Sequence, residues 1–313
     1  MYDPAKPYKK QILEIIQRTW DTPYVSVSAG TYPLIRHKLS RDEFDIDHTD
    51  GIGTKGFYHW QQRSFSNAAI DALAMNLNDL AIMRATPYKL SNHIMIPQDD
   101  REAIIRIVET LADECVKRKI AMTGGETSMH DNIRGMDISI TLSGFIQKPI
   151  GNLFKAGDAL IGMASNGLHS NGFTKVREKF GDEFRPEFIE PTRIYLEEIL
   201  ELNKEYDIHG MMHITGGAYT KLKDLLPGLD AAITRHHSLE PQEVFDEIFS
   251  RGVSDEDMYR TFNCGIGFIL GMDKSDANKL ISENPGYEAI GEVVEGTGRV
   301  RITSMFSGKQ IEY

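Results

Sequence analysis

The stretch Asp45-Ile46-Asp47-His48-Thr49-Asp50-Gly51-Ile52-Gly53-Thr54-Lys55 packs carboxylates, an imidazole, two glycines and a lysine into eleven residues. Glycine lets main-chain N–H groups converge on phosphate oxygens, and lysine adds a compact positive charge. Carboxylates beside a phosphate site suit a magnesium ion between them, since Mg2+ takes one or two carboxylates plus phosphate oxygens and waters. The chemistry expected is a metal–nucleotide site at the end of a strand, built from Asp50, Gly51, Gly53, Thr54 and Lys55.

Asp79 and Glu126 repeat the theme, each at or near the end of a regular element and beside Asn or Gly. Taken singly, each acid also reads as a cap or a solvated charge, and Asp71 as solvation of an outer helix face. Two strand–glycine–helix junctions, Gly167 to Gly172 and Thr215 to Gly217, are candidate anion sites, because helix N-termini offer unpaired N–H groups. Ordinary turns are the plain alternative. His169 and His213 fit acid–base or substrate-bonding roles and equally fit structural ones. No Ser/His/Asp or Cys/His nucleophile arrangement is legible.

Gly51-Ile52-Gly53-Thr54-Lys55-Gly56 matches G-x-G-x-x-G, with Asp71 twenty residues after Gly51. A dinucleotide fingerprint needs a helix that starts within the glycine run. Here Phe57-Tyr58-His59-Trp60 intervene before the helix expected from about Ser66, so that reading is set aside. No Walker A loop exists, because Gly308-Lys309 is followed by Gln310.

The elements that must hold these residues alternate between helix and strand. Phe44 and Ile46 alternate with acids, as in a short strand. A helix is predicted from Ser66 to about Arg84, with Ile70, Leu73, Ala74, Leu77, Leu80 and Ala81 inward and Asp71, Met75, Asn78 and Asp79 outward. A second begins near Asp99 or Asp100, with Ile104, Val108, Leu111 and Cys115 on its inner face. Ile120-Ala121-Met122 is expected to enter a turn at Thr123-Gly124-Gly125-Glu126-Thr127. Met136, Ile138, Ile140 and Leu142 read as a half-buried strand. Pro149, Gly151 and Gly157 mark a boundary between domains 1–150 and 151–313. Beyond it, Ala159 to Ala164 and Thr261 to Leu270 read as strands.

The 313 residues carry a formal charge of −11, which opposes nonspecific nucleic-acid binding. No apolar run reaches about 18 residues, so no membrane span is expected. The N-terminus lacks a signal-peptide apolar core. The two cysteines, Cys115 and Cys264, lie in apolar contexts and read as buried thiols of a cytoplasmic protein.

Seven words in order, from Thr49 to about Leu270, carry a family resemblance. They are Thr49-Asp50-Gly51-Ile52-Gly53-Thr54-Lys55, Asp71 through Asp79, Gly124-Gly125-Glu126-Thr127, His169-Ser170-Asn171-Gly172, Pro191 through Tyr195, His213-Ile214-Thr215-Gly216-Gly217 and Met258 through Gly267. The chain resembles the aminoimidazole ribonucleotide synthetase (phosphoribosylformylglycinamidine cyclo-ligase) family. The resemblance implies a two-domain mixed α/β (α+β) fold, with N-terminal domains pairing into a shared β-barrel in a homodimer. It implies ATP, Mg2+ and the substrate formylglycinamidine ribonucleotide. ATP would phosphorylate the formamide oxygen, the amidine nitrogen would attack, and the imidazole ring would close as ADP and phosphate leave. By motif match, Asp50, Asp79 and Glu126 would hold the metal, with Asp71 a helper. Gly51, Gly53, Thr54, Lys55, Gly124 and Gly125 would approach the nucleotide. Lys55 would contact phosphate, and His169 with Ser170, Asn171, Gly172, Thr215, Gly216 and Gly217 would line the substrate side.

The chain departs from the family pattern near these positions. Val25-Ser26-Val27-Ser28-Ala29-Gly30 stands where a glycine-rich segment usually lies, His48 replaces a small residue, and Gly56 an apolar one. Ser91-Asn92-His93-Ile94-Met95 and Ser128-Met129-His130-Asp131-Asn132 also differ from the usual words. Rival readings are another ATP-using relative acting on a different substrate, and an inactive dimeric scaffold. Selenophosphate synthetase, thiamine-monophosphate kinase and the hydrogenase-maturation dehydratase usually carry Gly-Gly-Asp where this chain has Gly124-Gly125-Glu126.

Overall fold

A computed structural model describes residues 8–28, 35–38 and 43–313. Ala29 and Gly30, in the segment compared with the glycine-rich cover, lie outside them. The chain divides into two compact units between Pro149 and Ile150.

The first unit contains α1 (Lys9–Gln17), β1 (Val25–Ser28), β2 (Ile35–Lys38), β3 (Phe44–Gly51), α2 (Gly56–Gln62), α3 (Phe65–Ile82), β4 (Thr86–Ile96), α4 (Arg101–Arg118), β5 (Ala121–Met129) and β6 (Asp137–Ile146). Its main sheet runs β3-β6-β4-β5, antiparallel except for the parallel β4–β5 pair. Ile138, Ile140 and Leu142 alternate with more exposed residues along β6, so one face of the sheet packs on helices. Arg101–Arg118 starts where expected: the Asp100 carboxylate accepts from Ala103 N at 3.0 Å, and Lys117 and Arg118 complement the C-terminal dipole.

Three expectations change. The helix over 65–82 is buried nearly all round, with Asp71, Met75, Asn76 and Asn78 as sequestered as Leu73 and Leu77. Its polar side faces protein partners rather than water. The predicted turn at Thr123–Thr127 is continuous strand, because Gly125 lies beside Asn92 of β4 and a Cβ there would fall 2.2 Å from Asn92 Oδ1. A 3-10 turn over Gly53–Lys55 leads directly into α2, so a helix does begin in the glycine run. The dinucleotide reading fails on topology instead: β3 pairs antiparallel with β6, whereas that motif needs a parallel βαβ unit.

The second unit contains β7 (Ala159–Ala164), α5 (Phe173–Phe180), α6 (Leu196–Glu205), β8 (Ile208–His213), β9 (Leu229–Ile233), α7 (Glu243–Ser250), α8 (Asp255–Thr261), β10 (Ile266–Met272), α9 (Lys274–Glu283), β11 (Tyr287–Glu295), β12 (Val300–Thr303) and β13 (Gln310–Glu312). Its seven strands run β13-β12-β9-β11-β7-β10-β8. The inner strands β7 and β10 are apolar and buried along almost their whole length, as strands covered on both faces must be, and the edge strand β8 is buried as well. No helix among the described residues is long and apolar enough to cross a membrane.

Candidate functional site

In the first unit, β3 delivers Asp50 to the face covered by α3. Asn76 fixes this junction. Its Nδ2 donates to Asp50 O at 3.2 Å and to Ala72 O at 2.9 Å, which leaves Oδ1 to accept from His48 Nδ1 at 3.0 Å. His48 Nε2 reaches Asp79 Oδ2 at 3.0 Å. Asn76 Oδ1 and Asp79 Oδ2 are both acceptors, so this arrangement favours the protonated form of His48. Its pKa is raised, chiefly by the Asp79 hydrogen bond working against burial, with the Asp79 and Asp50 charges and the Asn76 bond adding to it. The structure thus brings Asp50 and Asp79 to one neighbourhood, with the divergent His48 between them.

Glu126 does not join them within this unit. Asp50, Ile140, Asn92 and Gly125 form one row of strand partners, and Gly51, Ser139, His93 and Glu126 form the next. Partners in a row share a face and adjacent rows alternate, so Asp50 and Glu126 point to opposite faces. Their strands are the two edges of the sheet, three spacings of about 4.8 Å apart. Glu126 is exposed, its Oε1 accepting from Thr127 N at 3.1 Å. Ser128 and His93 share its face, with His93 Nε2 2.7 Å from Ser128 Oγ.

Lys55 and Asp71 are both buried, with 0% side-chain exposure and Nζ 2.8 Å from Asp71 Oδ2. His59 Nε2 donates to the same Oδ2 at 2.8 Å, and Ser64 Oγ lies 2.8 Å from His59 Nδ1. Burial pushes the Asp71 pKa up, but the Lys55 charge and the His59 hydrogen bond outweigh it and hold the carboxyl well below its usual range. Burial dominates at His59 and lowers its pKa. Gly51 N bonds the Asp50 carboxylate at 2.7 Å, and Gly53 adopts φ 53°, a region that favours glycine.

In the second unit the two predicted junctions converge. The loop after β7 carries His169, Ser170, Asn171 and Gly172, and the loop after β8 carries Thr215, Gly216 and Gly217. A Cβ on Gly216 would sit 3.1 Å from Asn171 Oδ1. Ser170 Oγ lies 2.9 Å from Thr192 Oγ1, and Lys221 Nζ donates to Thr215 Oγ1 at 3.3 Å. The His169 ring, 2% exposed, sits 6.1 Å from both Tyr195 and His213. Gly267 makes room for it: a Cβ there would strike Tyr195 Oη and approach His169 Cε1 to 2.8 Å.

One residue that the sequence does not single out ties down the loop after β7. Asn263, at the end of the Met258–Gly267 word, donates from Nδ2 to Gly167 O at 2.7 Å. Its Oδ1 accepts from Ser165 Oγ at 2.8 Å and Gly265 N at 3.0 Å. The glycines and asparagine of that word were visible; their target, the loop after β7, was not. Cys264 and Cys115 are buried free thiols, and burial pushes Cys115 up to about 12.

Residues 37–146 match the AIR synthase related protein N-terminal domain, and residues 155–303 match its C-terminal domain. A phosphoribosylformylglycinamidine cyclo-ligase of Saccharolobus solfataricus is 34% identical over 95% of this chain and 92% of its own length. One of Thermococcus kodakarensis is 32% identical over 88% of this chain and 91% of its own. Among solved structures, hydrogenase maturation protein HypE in complex with ATP superposes with TM-score 0.71 at 16% identity, covering 99% of this chain and 95% of that one. PurL of T. maritima complexed with FGAR gives 0.61 at 13% identity, over 97% of this chain and 49% of that one. These structural likenesses speak to fold. The near-full-length identity to the cyclo-ligases, with both domain matches, makes this chain a member of the AIR synthase related protein family.

Proposed function

We propose that this chain is an ATP-dependent phosphoribosylformylglycinamidine cyclo-ligase of purine biosynthesis, closing the imidazole ring of aminoimidazole ribonucleotide from formylglycinamidine ribonucleotide. The observation that carries this reading is the 34% identity spanning 95% of the chain to a curated cyclo-ligase. ATP would supply a phosphoryl group that turns the formamide oxygen into a leaving group.

The chain's own residues would position and neutralise charge. Asp50 and Asp79 fit a divalent cation, because Asp79 bonds His48 and the charges of both carboxylates favour a positive group there. Glu126, on the other face, would contribute separately. Gly51, Gly53, Thr54, Gly124 and Gly125 would let backbone approach the nucleotide, and Lys55 would reach phosphate only by exchanging its Asp71 partner. His59 would then keep Asp71 compensated. Ser170, Asn171, Gly172, Thr215, Gly216 and Gly217 would seat the substrate, with His169 placed to bond or move a proton. The same proposal includes a homodimer formed through the N-terminal units and a cytoplasmic location.

The test is purified protein with ATP, Mg2+ and formylglycinamidine ribonucleotide, following ADP and aminoimidazole together. Equal appearance of both is expected. ADP without imidazole, or neither, counts against the assignment.

A further inference from the structure

A second cluster of ligating groups lies in the C-terminal unit, remote from the junction residues. Asp158 immediately precedes β7, His209 is the second residue of β8, and Asp273 directly follows β10. These strands are neighbours, with β10 in the middle and antiparallel to both. Met272 pairs with Ala159 on one side and Ile208 on the other, so the residues just outside those pairs meet at one end of the sheet. A register shift between Gly271 and Met272 brings His209 level with the end of β10. Asp158, His209 and Asp273 each offer an atom within 4.8 Å of the other two.

Electrostatics make this group unusual. His209 and Asp158 have side chains 2% and 1% exposed, and His209 Nδ1 donates to Asp158 Oδ1 at 2.8 Å. The other Asp158 oxygen accepts from Lys155 N at 2.8 Å. His209 Nε2 is buried, and no described residue hydrogen-bonds it. Asp207 Oδ2 lies 3.3 Å away but off the bonding axis. Three carboxylates therefore surround one imidazole, and no lysine or arginine among the described residues forms an ion pair with any of them. Asp273 stands at the N-cap of α9 without bonding a helix N–H.

We propose that Asp158, His209 Nδ1 and Asp273 form a binding site for a divalent transition cation, with Zn2+ or Mn2+ favoured over Mg2+ by the imidazole nitrogen. On binding, the cation takes the place of the proton between His209 Nδ1 and Asp158. The imidazole proton moves to Nε2, and rotation of the exposed Asp207 side chain, now 3.3 Å away, brings its carboxylate onto the bonding axis to accept it. That carboxylate–histidine–metal chain gives the orphaned nitrogen a partner and neutralises the acids. β7 spans six residues between Asp158 and the loop carrying His169, about 20 Å of strand, so the cation acts on the stability of this unit and takes no part in catalysis.

The test uses full-length protein stripped with chelator, without nucleotide, titrated with Zn2+ against a chromogenic chelator and with Mn2+ by electron paramagnetic resonance. One tightly held ion per chain is expected, undisplaced by excess Mg2+. Asp273→Asn, at an exposed position, should fold normally and weaken binding at least tenfold. Asp50→Asn should leave this binding unchanged, which separates the site from the nucleotide region. The proposal is overturned if the stripped protein holds no ion after gel filtration, if Asp273→Asn binds as tightly, or if Asp50→Asn abolishes binding.

Discussion

Lys55 Nζ and Asp71 Oδ2 form a fully buried ion pair, 2.8 Å apart. Breaking such a pair by removing one partner leaves an uncompensated charge and costs about 3–5 kcal/mol. Lys55→Met and Asp71→Asn should each lower unfolding free energy on that order in urea titrations. The double variant Lys55→Met/Asp71→Leu should recover much of the loss. If the single variants are as stable as the parent, the pair is not a structural element.

His59 sits in the same network with its pKa lowered by burial. A histidine depressed in the folded state contributes stability above its unfolded pKa of about 6.5 that is lost as pH falls below it. Unfolding free energy should therefore decline from about pH 6.5 toward the depressed folded value. His59→Gln should flatten that decline, measured by denaturation at a series of pH values. An unchanged slope would remove His59 as its source.

Asp50 and Asp79 meet around His48, whereas Glu126 points from the opposite face of the sheet. Metal-dependent ATP affinity in a double-mutant cycle should reveal this geometry. Asp50→Asn and Asp79→Asn should be coupled by roughly 0.5–3 kcal/mol, while Glu126→Gln should be nearly additive with either. Strong coupling of Glu126 to Asp50 would mean that one cation joins them.

Asn263 holds the loop after β7 through bonds to Gly167 and Ser165. Asn263→Ala strands buried groups at about 1–3 kcal/mol each. The substrate KM should rise more than kcat falls, because the loop carrying His169 to Gly172 loses its anchor. An unaltered KM in a folded variant would detach that loop from substrate binding.

Neither cysteine should react with a thiol reagent in the native state, since both are buried and their thiolates are disfavoured. Both should react once the chain is unfolded. Rapid native labelling of Cys264 would contradict its placement.

Elements with a single apolar face were legible in the sequence. The helix Arg101–Arg118 showed its cap and stripe, and β6 its alternation, because one side of each meets water. The 65–82 helix misled because it is enclosed on all sides, so Asp71 and Asn78 look like solvent-facing residues while both are buried, Asp71 against Lys55 and His59. Gly124-Gly125 looks like a turn, since its close partner Asn92 lies on another strand. The junctions at Gly172 and Gly217 were readable from local glycines, both at positive φ. Their convergence, and the roles of His59 and Asn263, depend on contacts between segments far apart in the chain.

The most direct measurement follows the formamide oxygen. Formylglycinamidine ribonucleotide carrying oxygen-18 in that position is turned over with ATP, and the phosphate released is analysed by phosphorus NMR or mass spectrometry. Transfer of the label into inorganic phosphate, one atom per aminoimidazole formed, is the expected result. Label recovered in water with unlabelled phosphate, or ATP consumption without ring closure, would contradict ATP-dependent cyclo-ligation by this chain.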